Sequence, residues 1–217
     1  MSTRTSNIWT YQVEDGFLAF TTGRDAGVED MGFRLEDLGL PRQTHSDHVL
    51  RISQPCRPED TDAVITDVPG LCLCVKTADC IPVLLYDTRQ RLVAAIHAGW
   101  RGTVARIVSK TINLMGSQGT DLHAIIGPGI SQQAFEVGDE VYNRFQVEGF
   151  PMERIACRQA KWHIDLWDAN RWVLEQQGVQ DIHCAGICTY SNVDKLYSAR
   201  RETINCGRNL NAIMIKP

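Results

Sequence analysis

Between residues 62 and 96 the chain carries four short apolar runs, at 62–67, 71–76, 81–86 and 92–96. They are rich in Val, Ile, Leu and Ala, with little polar alternation. A strand that faces water on one side alternates with a period of two, so runs like these suit strands buried on both faces. Such strands need covering layers above and below. Pro69-Gly70 closes the first run. The period then changes: Val104, Ile107, Val108, Thr111, Ile112 and Met115 define one face of an amphipathic helix that Gly116 can end. Ala124–Ile126 reads as a further strand, closed by Gly127-Pro-Gly129, and a polar helix is expected near Asp139–Phe145. Asp165 is placed to cap a helix running to about Gln177, with Gly178 as its stop, and a last strand is expected near Asn211–Ile215. Strands and helices mix without strict alternation, which predicts an α+β fold with a mixed-sheet core.

Composition narrows the classes. At 217 residues, 43% apolar and 22% charged, the chain suits one sizeable soluble domain spanning 1–217 and not a disordered polymer. A formal net charge of −4 argues against tracking a nucleic-acid backbone. No stretch of about 18 apolar residues exists, so no membrane-spanning helix is expected. The opening Met1-Ser-Thr-Arg-Thr-Ser lacks a basic segment followed by an apolar core, which points to the cytoplasm. Several of the eight cysteines, including Cys72, Cys74, Cys184 and Cys188, lie in apolar runs and are expected to be small buried hydrophobes instead of disulfides. The oligomeric expectation is a monomer or small homo-oligomer.

Three segments carry reactive side chains: Gln43-Thr-His45-Ser-Asp-His48, Lys76-Thr-Ala-Asp79-Cys80-Ile-Pro82, and Ala95-Ile-His97-Ala-Gly-Trp-Arg101-Gly-Thr103. In the third, an apolar strand ends at His97, Ala98-Gly99 make a tight turn, and a helix is expected near Gly102. Arg101 beside that helix start offers a bidentate anion donor. The alternative is a packed turn whose His97 caps a carbonyl. In the second, Asp79 can orient a partner or accept a proton, and Cys80 can be a nucleophile, a ligand or a buried thiol. The first can be a ligand loop or a plain polar loop. His45, Cys80 and His97 together make a possible His₂Cys set. They lie 35 and 17 residues apart, so no compact zinc spacing announces them. Three protein ligands with an open fourth position fit catalytic zinc, and His₂Cys also describes blue copper.

At these residues the chain resembles the laccase-domain family, also called multicopper polyphenol-oxidase-like or YfiH-like. The matching runs are Gln43-Thr-His45, Asp62–Asp67, Thr77–Asp87, Ile96–Thr103, Ile126–Ile130, Phe135–Gly138, Cys188–Tyr190, Tyr197–Arg201 and Gly207-Arg208. Where the family often carries Gly after the first His, this chain has Ser46. The resemblance implies a single-domain α/β/β/α sandwich and a zinc-dependent purine nucleoside phosphorylase with adenosine deaminase and methylthioadenosine phosphorylase activity. It implies His45, Cys80 and His97 as zinc ligands and purine nucleosides with inorganic phosphate as partners. Copper remains an alternative metal, although six histidines are too few and too scattered for a four-copper laccase.

On that implied chemistry, Arg101, Arg200 and Arg201 are candidates for phosphate, each with a structural ion pair as its alternative. Asp79 is the candidate for orienting a zinc ligand or moving a proton, and Gln43 for bonding substrate. Trp100 and Tyr190 are candidates for walling the purine, or for core packing. Competing readings are a metal-free cysteine hydrolase or deamidase with Cys80 as nucleophile and His97 as base, a copper polyphenol oxidase, and a structural zinc site closed by His48.

Overall fold

The four apolar runs become strands shared between two packed sheets. The computed structural model describes residues 7–217, so the Met1–Ser6 run lies outside the described residues. In chain order the strands are β1 (Ile8–Thr10), β2 (Phe17–Thr22), β3 (Leu38–Gly39), β4 (Val49–Arg51), β5 (Ala63–Thr66), β6 (Cys72–Thr77), β7 (Ile81–Asp87) and β8 (Leu92–Ala98). Helices α1 (Trp100–Val104) and α2 (Ile107–Met115) follow, then β9 (Leu122–Ile126), β10 (Glu136–Val137), α3 (Asp139–Val147), α4 (Met152–Ile155), β11 (Ala156–Arg158) and β12 (Trp162–Ile164). The chain ends with α5 (Leu166–Gln176), β13 (Asp181–Cys184) and β14 (Asn209–Ile215).

A six-stranded sheet runs β13-β9-β7-β8-β5-β4, a five-stranded sheet runs β1-β2-β14-β6-β3, and a small third sheet runs β10-β12-β11. Both large sheets mix parallel and antiparallel pairs. Strand alternation then builds the layers. From β7, Leu84 and Tyr86 point between the sheets, meeting Leu73, Val75 and Ile213, while Ile81, Val83 and Leu85 point to the helices. The far face of the five-stranded sheet, with Phe20, Cys72 and Cys74, is covered by the segment around Val28 and Leu38. The result is a four-layer α/β/β/α sandwich in which 3₁₀ turns at Val28–Met31 and Leu35–Asp37 make up the thin outer layer.

Local expectations meet specific outcomes. Asp165 caps α5, accepting from the Asp168 backbone N–H at 2.9 Å. Gly116 ends α2 in the left-handed region, at φ 69°. The expected continuous helix from Val104 to Met115 is instead broken, because Arg106 sits at φ 62°. Its guanidinium lies 4.0 Å from the centre of the Phe150 ring and 4.5 Å from that of Trp172, and it donates to the Glu148 carbonyl at 2.7 Å, contacts that hold the break in place. All eight cysteines are free, but only Cys72 and Cys74 are buried; Cys184 and Cys188 are half-buried, which corrects the expectation for those two. Burial pushes the thiols of Cys72 and Cys74 up, so both stay protonated. Among the described residues no helix is long and apolar enough to cross a membrane.

Candidate metal centre

Strand pairing brings the distant donors together. Cys80 immediately precedes β7 and His97 lies near the end of β8; the two strands are antiparallel neighbours, with Ile81 opposite Ala98 and Pro82 opposite His97. β5 flanks β8 on its other side with Ala63 opposite Ile96, so Asp62 lies beside His97. His45 enters from the loop between β3 and β4, at φ 64°. That backbone is held by one carboxylate. Asp62 accepts from the backbone N–H of Thr44 at 3.1 Å, His45 at 3.1 Å and Ser46 at 2.9 Å, and from the Ser46 hydroxyl at 2.7 Å. The same carboxylate accepts from His97 Nδ1 at 2.6 Å.

One donor atom from each of His45, Cys80 and His97 lies within 4.8 Å of the others. The two imidazoles stand nearly edge to face, with ring centres 4.9 Å apart. Burial alone would push the Cys80 thiol up, but the facing His97 and His45 rings bring it down to about 6. Burial likewise works against a charged His97, and the Cys80 thiolate and Asp62 carboxylate overcome it, raising that imidazole to about 9. Burial also opposes the Asp62 charge, yet its bonds from His97, Ser46 and Thr44 hold the carboxyl well below the usual range. A carboxylate that fixes one ring nitrogen and aims the other at a ligand cluster is the usual support of a metal-binding histidine. The space fits as well: a Cβ added at Gly99 would stand 3.0 Å from Cys80 Sγ and 3.1 Å from His45 Cδ2. The donor set, its acidity and the glycine gap all suit a borderline-soft divalent ion.

Two cavities meet at this point. One, of about 240 Å³, is lined by Arg42, Lys76 and Arg208 together with His45, Cys80 and His97. The other, of about 290 Å³, is mainly apolar, with Trp100, Ile130, Phe135 and Leu166 on its walls and Asp79 and Arg200 at its edge. Cys80 and Ile204 border both.

The remaining expected residues divide. Asp79 does not orient a ligand. Its carboxylate accepts from the Thr189 hydroxyl at 2.6 Å and the Arg200 backbone N–H at 2.8 Å, and the orienting acid is Asp62. Gln43 lines the basic cavity, but its amide is spent on the Lys76 backbone, donating to the carbonyl at 2.7 Å and accepting from the N–H at 2.8 Å. Arg101 lies outside both cavities, exposed, 4.4 Å from the centre of the Trp100 ring. Arg201 donates to the carbonyls of Thr189, Tyr190 and Leu196 and to Glu202, ties that hold its own loop and leave no fork for phosphate. Arg200 borders the apolar cavity and donates to the carbonyls of Ala134 and Glu136. Trp100 walls that cavity, whereas Tyr190 lines a separate one. His48 faces Asp60 and stays outside the donor cluster, so it does not close a fourth position. Sequence reasoning missed Asp62, Lys76, Arg42 and Arg208. Signals were available for three of them: Asp62 and Arg208 lie in the matching runs, and Lys76 opens the second reactive segment.

A two-sheet sandwich carries at its strand ends an Asp-supported His₂Cys donor set that could hold a metal ion. A family model described as multi-copper polyphenol oxidoreductase laccase matches residues 5–216, and the chain belongs to that family. It is 48% identical over 207 residues to a purine nucleoside phosphorylase of Bacteroides thetaiotaomicron, covering 87% of this chain and 77% of that enzyme. It is 39% identical over 226 residues to adenosine deaminase RL5 from an unknown prokaryotic organism, covering 94% of this chain and 85% of the other. A solved Neisseria meningitidis structure superposes with a TM-score of 0.87 at 25% identity, covering 97% and 100% of the two chains. The family's descriptive title does not match the donor count. Among the described residues this is the only cluster of three or more convergent His, Cys, Asp or Glu donors, and only two of the six histidines join it.

Proposed function

We propose that this chain is a zinc-dependent purine nucleoside phosphorylase that also deaminates adenosine and cleaves methylthioadenosine. The observation that carries the reading is the placing of the His45–Cys80–His97 donors between a basic cavity and an apolar one. Phosphorolysis needs an anion and a flat hydrophobic base on either side of the ribose C1′, and the two cavities match that division. The named activities of the Bacteroides and RL5 relatives agree with it. Zinc in this cradle supplies Lewis-acid polarisation and makes water acidic near neutral pH.

The chain's own residues do the rest. Lys76, whose ammonium forms no ion pair among the described residues, holds inorganic phosphate with Arg42 and Arg208. Trp100 and Phe135 wall the purine and exclude water from it. Asp79, at the edge of the apolar cavity, moves a proton at N7 of the leaving base. The Arg200 backbone N–H holds the Asp79 carboxylate, and the Arg200 guanidinium donates to the carbonyls of Ala134 and Glu136 at the edge of that cavity. We read the sandwich as one catalytic domain over 1–217, because the six-stranded sheet lends side chains to both main interior layers.

Cys80→Ala is expected to lower zinc well below one per chain and to abolish both phosphate-dependent release of purine and formation of inosine from adenosine. Full-rate turnover by that variant would contradict the assignment. The acidic Cys80 facing a basic His97 also favours a second reading, a metal-free cysteine hydrolase. Activity that survives thorough chelation but dies with a thiol alkylator selects it.

A further inference from the structure

The Asp79 carboxylate is anchored at both oxygens. Oδ1 accepts from the Thr189 hydroxyl at 2.6 Å, across 110 residues of chain, and Oδ2 accepts from the Arg200 backbone N–H at 2.8 Å. The Asp79 backbone is held as well, its carbonyl accepting from the Ile130 N–H at 2.9 Å. A carboxyl group offers about four lone-pair sites. The two anchors take one on each oxygen, which fixes the plane of the group and leaves the others for the apolar cavity that Asp79 borders.

Thr189 itself is fully buried, and each of its polar groups is engaged. Its N–H donates to the Gly129 carbonyl at 2.9 Å, and its carbonyl accepts from the Arg201 guanidinium at 2.7 Å. The hydroxyl bonds Asp79 alone among the described residues. Gly129 and Ile130 are adjacent, so the Thr189 backbone and the Asp79 backbone hang on the same turn, which a bridge between Gly129 and Cys188 ties further. A rigid frame therefore delivers this one hydroxyl to this one carboxylate. Packing alone gives no reason for it, because a valine of the same shape would fill the place without desolvating a hydroxyl. The frame also explains Arg201, whose guanidinium serves the loop instead of a phosphate.

We propose that Thr189 is a positioning residue for the proton step, its hydroxyl setting the orientation in which the Asp79 carboxyl meets N7 of the purine. The inference rests on the functional reading above. In that step a phosphate oxygen bonds C1′ as the C1′–N9 bond breaks, and the bonding pair passes into the purine ring. N7 takes a proton from Asp79, which regains one from water. Proton transfer depends steeply on geometry, so a carboxyl group released from one anchor loses rate without losing substrate. The rival is a brace: Thr189 holds the segment that carries Cys80 and has no part in the proton step.

The test compares inosine with 7-methylinosine, each cleaved with inorganic phosphate by the zinc-loaded enzyme. The methyl group already puts positive charge on the imidazole ring of the base, so this base leaves without a proton at N7. Thr189→Val keeps the shape and removes the hydroxyl. It should lower kcat for inosine by about tenfold or more with KM within about twofold, and hold kcat for 7-methylinosine within about threefold. Thr189→Ser, which keeps the hydroxyl, should restore inosine turnover. Asp79→Asn should show the same split between the two nucleosides, and adding Thr189→Val to it should slow inosine no further, because the two side chains act as a unit. If the valine variant fails to fold, Thr189→Ala carries the same comparison. Equal slowing of both nucleosides marks the brace and overturns the proposal. An unchanged inosine rate, or a serine variant as slow as the valine one, overturns it equally. A full inosine rate in Asp79→Asn places the error in the role of Asp79, and an unaltered chain that cleaves neither nucleoside places it in the functional reading; the proposal falls with either.

Discussion

The six-stranded sheet holds a histidine Nδ1 at 2.6 Å from an aspartate at each of its two ends, yet the two pairs differ in every other respect. His97 and Asp62 are 4% and 0% exposed; His123 and Asp181 are 22% and 67% exposed. Asp62 also carries the backbone of the Thr44–Ser46 loop, whereas among the described residues the Asp181 carboxylate hydrogen-bonds the ring alone. A thiol faces His97, and a carboxylate faces His123. The same pair motif is thus a structural keystone in one place and an adjustable surface feature in the other. Context, more than the pair itself, sets what each histidine can bind.

Removing the carboxylate separates the two ends most sharply. Asp62→Ala strips a buried charge partner from His97 and leaves three loop N–H groups without their acceptor. It should cost about 3–5 kcal/mol in chemical denaturation and release the metal. Asp181→Ala should change stability by less than about 1 kcal/mol, because an exposed pair contributes little. Equal losses at the two positions would erase the contrast. A smaller effect is expected from Gly99→Ala. Gly99 has φ −66°, so alanine strains no backbone there, and the added methyl only crowds Cys80 and His45. Metal affinity should fall about fivefold to tenfold by competition with a chelating dye, at a cost of about 1 kcal/mol. The unaltered affinity of that variant would show that the donors do not close on one ion.

The metal-free protein offers a pH test of the same contrast. The Cys80 thiol is drawn down to about 6, so its thiolate fraction grows as pH rises through that value and is nearly complete by neutrality. Alkylation by iodoacetamide, followed by peptide mass at Cys80, should therefore plateau near pH 7. Cys72 should stay unmodified, because burial raises its thiol. An alkylation midpoint near the ordinary thiol value at Cys80 would show that the imidazoles do not stabilise the thiolate. The smallest effect is expected at Arg101, whose exposed guanidinium stacks on Trp100 alone. Arg101→Ala should cost about 0.5 kcal/mol and leave the phosphate KM unchanged, whereas Lys76→Ala should raise it.

Much of the central sheet was legible in the sequence because its strands are apolar on both faces and closely spaced. The strands at Ala63–Thr66, Cys72–Thr77, Ile81–Asp87 and Leu92–Ala98 all fall on the expected runs. The strands Ile8–Thr10, Val49–Arg51 and Trp162–Ile164 were not legible. Each is only three residues long and owes its form to its neighbours. The donors His45, Cys80 and His97 were grouped as a possible His₂Cys set by residue type, with Cys80 and His97 at strand ends, and the family resemblance implied them as metal ligands. The support around them was hidden. Asp62 acts through a pairing of β5 with β8 that no local pattern announces, and Arg201 looks like an anion donor until its loop carbonyls are placed around it. The break at Arg106 was invisible for a similar reason, since Phe150 and Trp172 come from distant parts of the chain.

The central claim is that two imidazoles and one thiolate, far apart in the chain, converge on a single divalent ion. X-ray absorption at the metal edge of the purified protein, with the total metal content measured on the same sample, tests it most directly. The account predicts zinc near one per chain, with one sulfur and two nitrogen scatterers from the protein in its first shell. A first shell without sulfur, or one with two or more sulfurs, would contradict it.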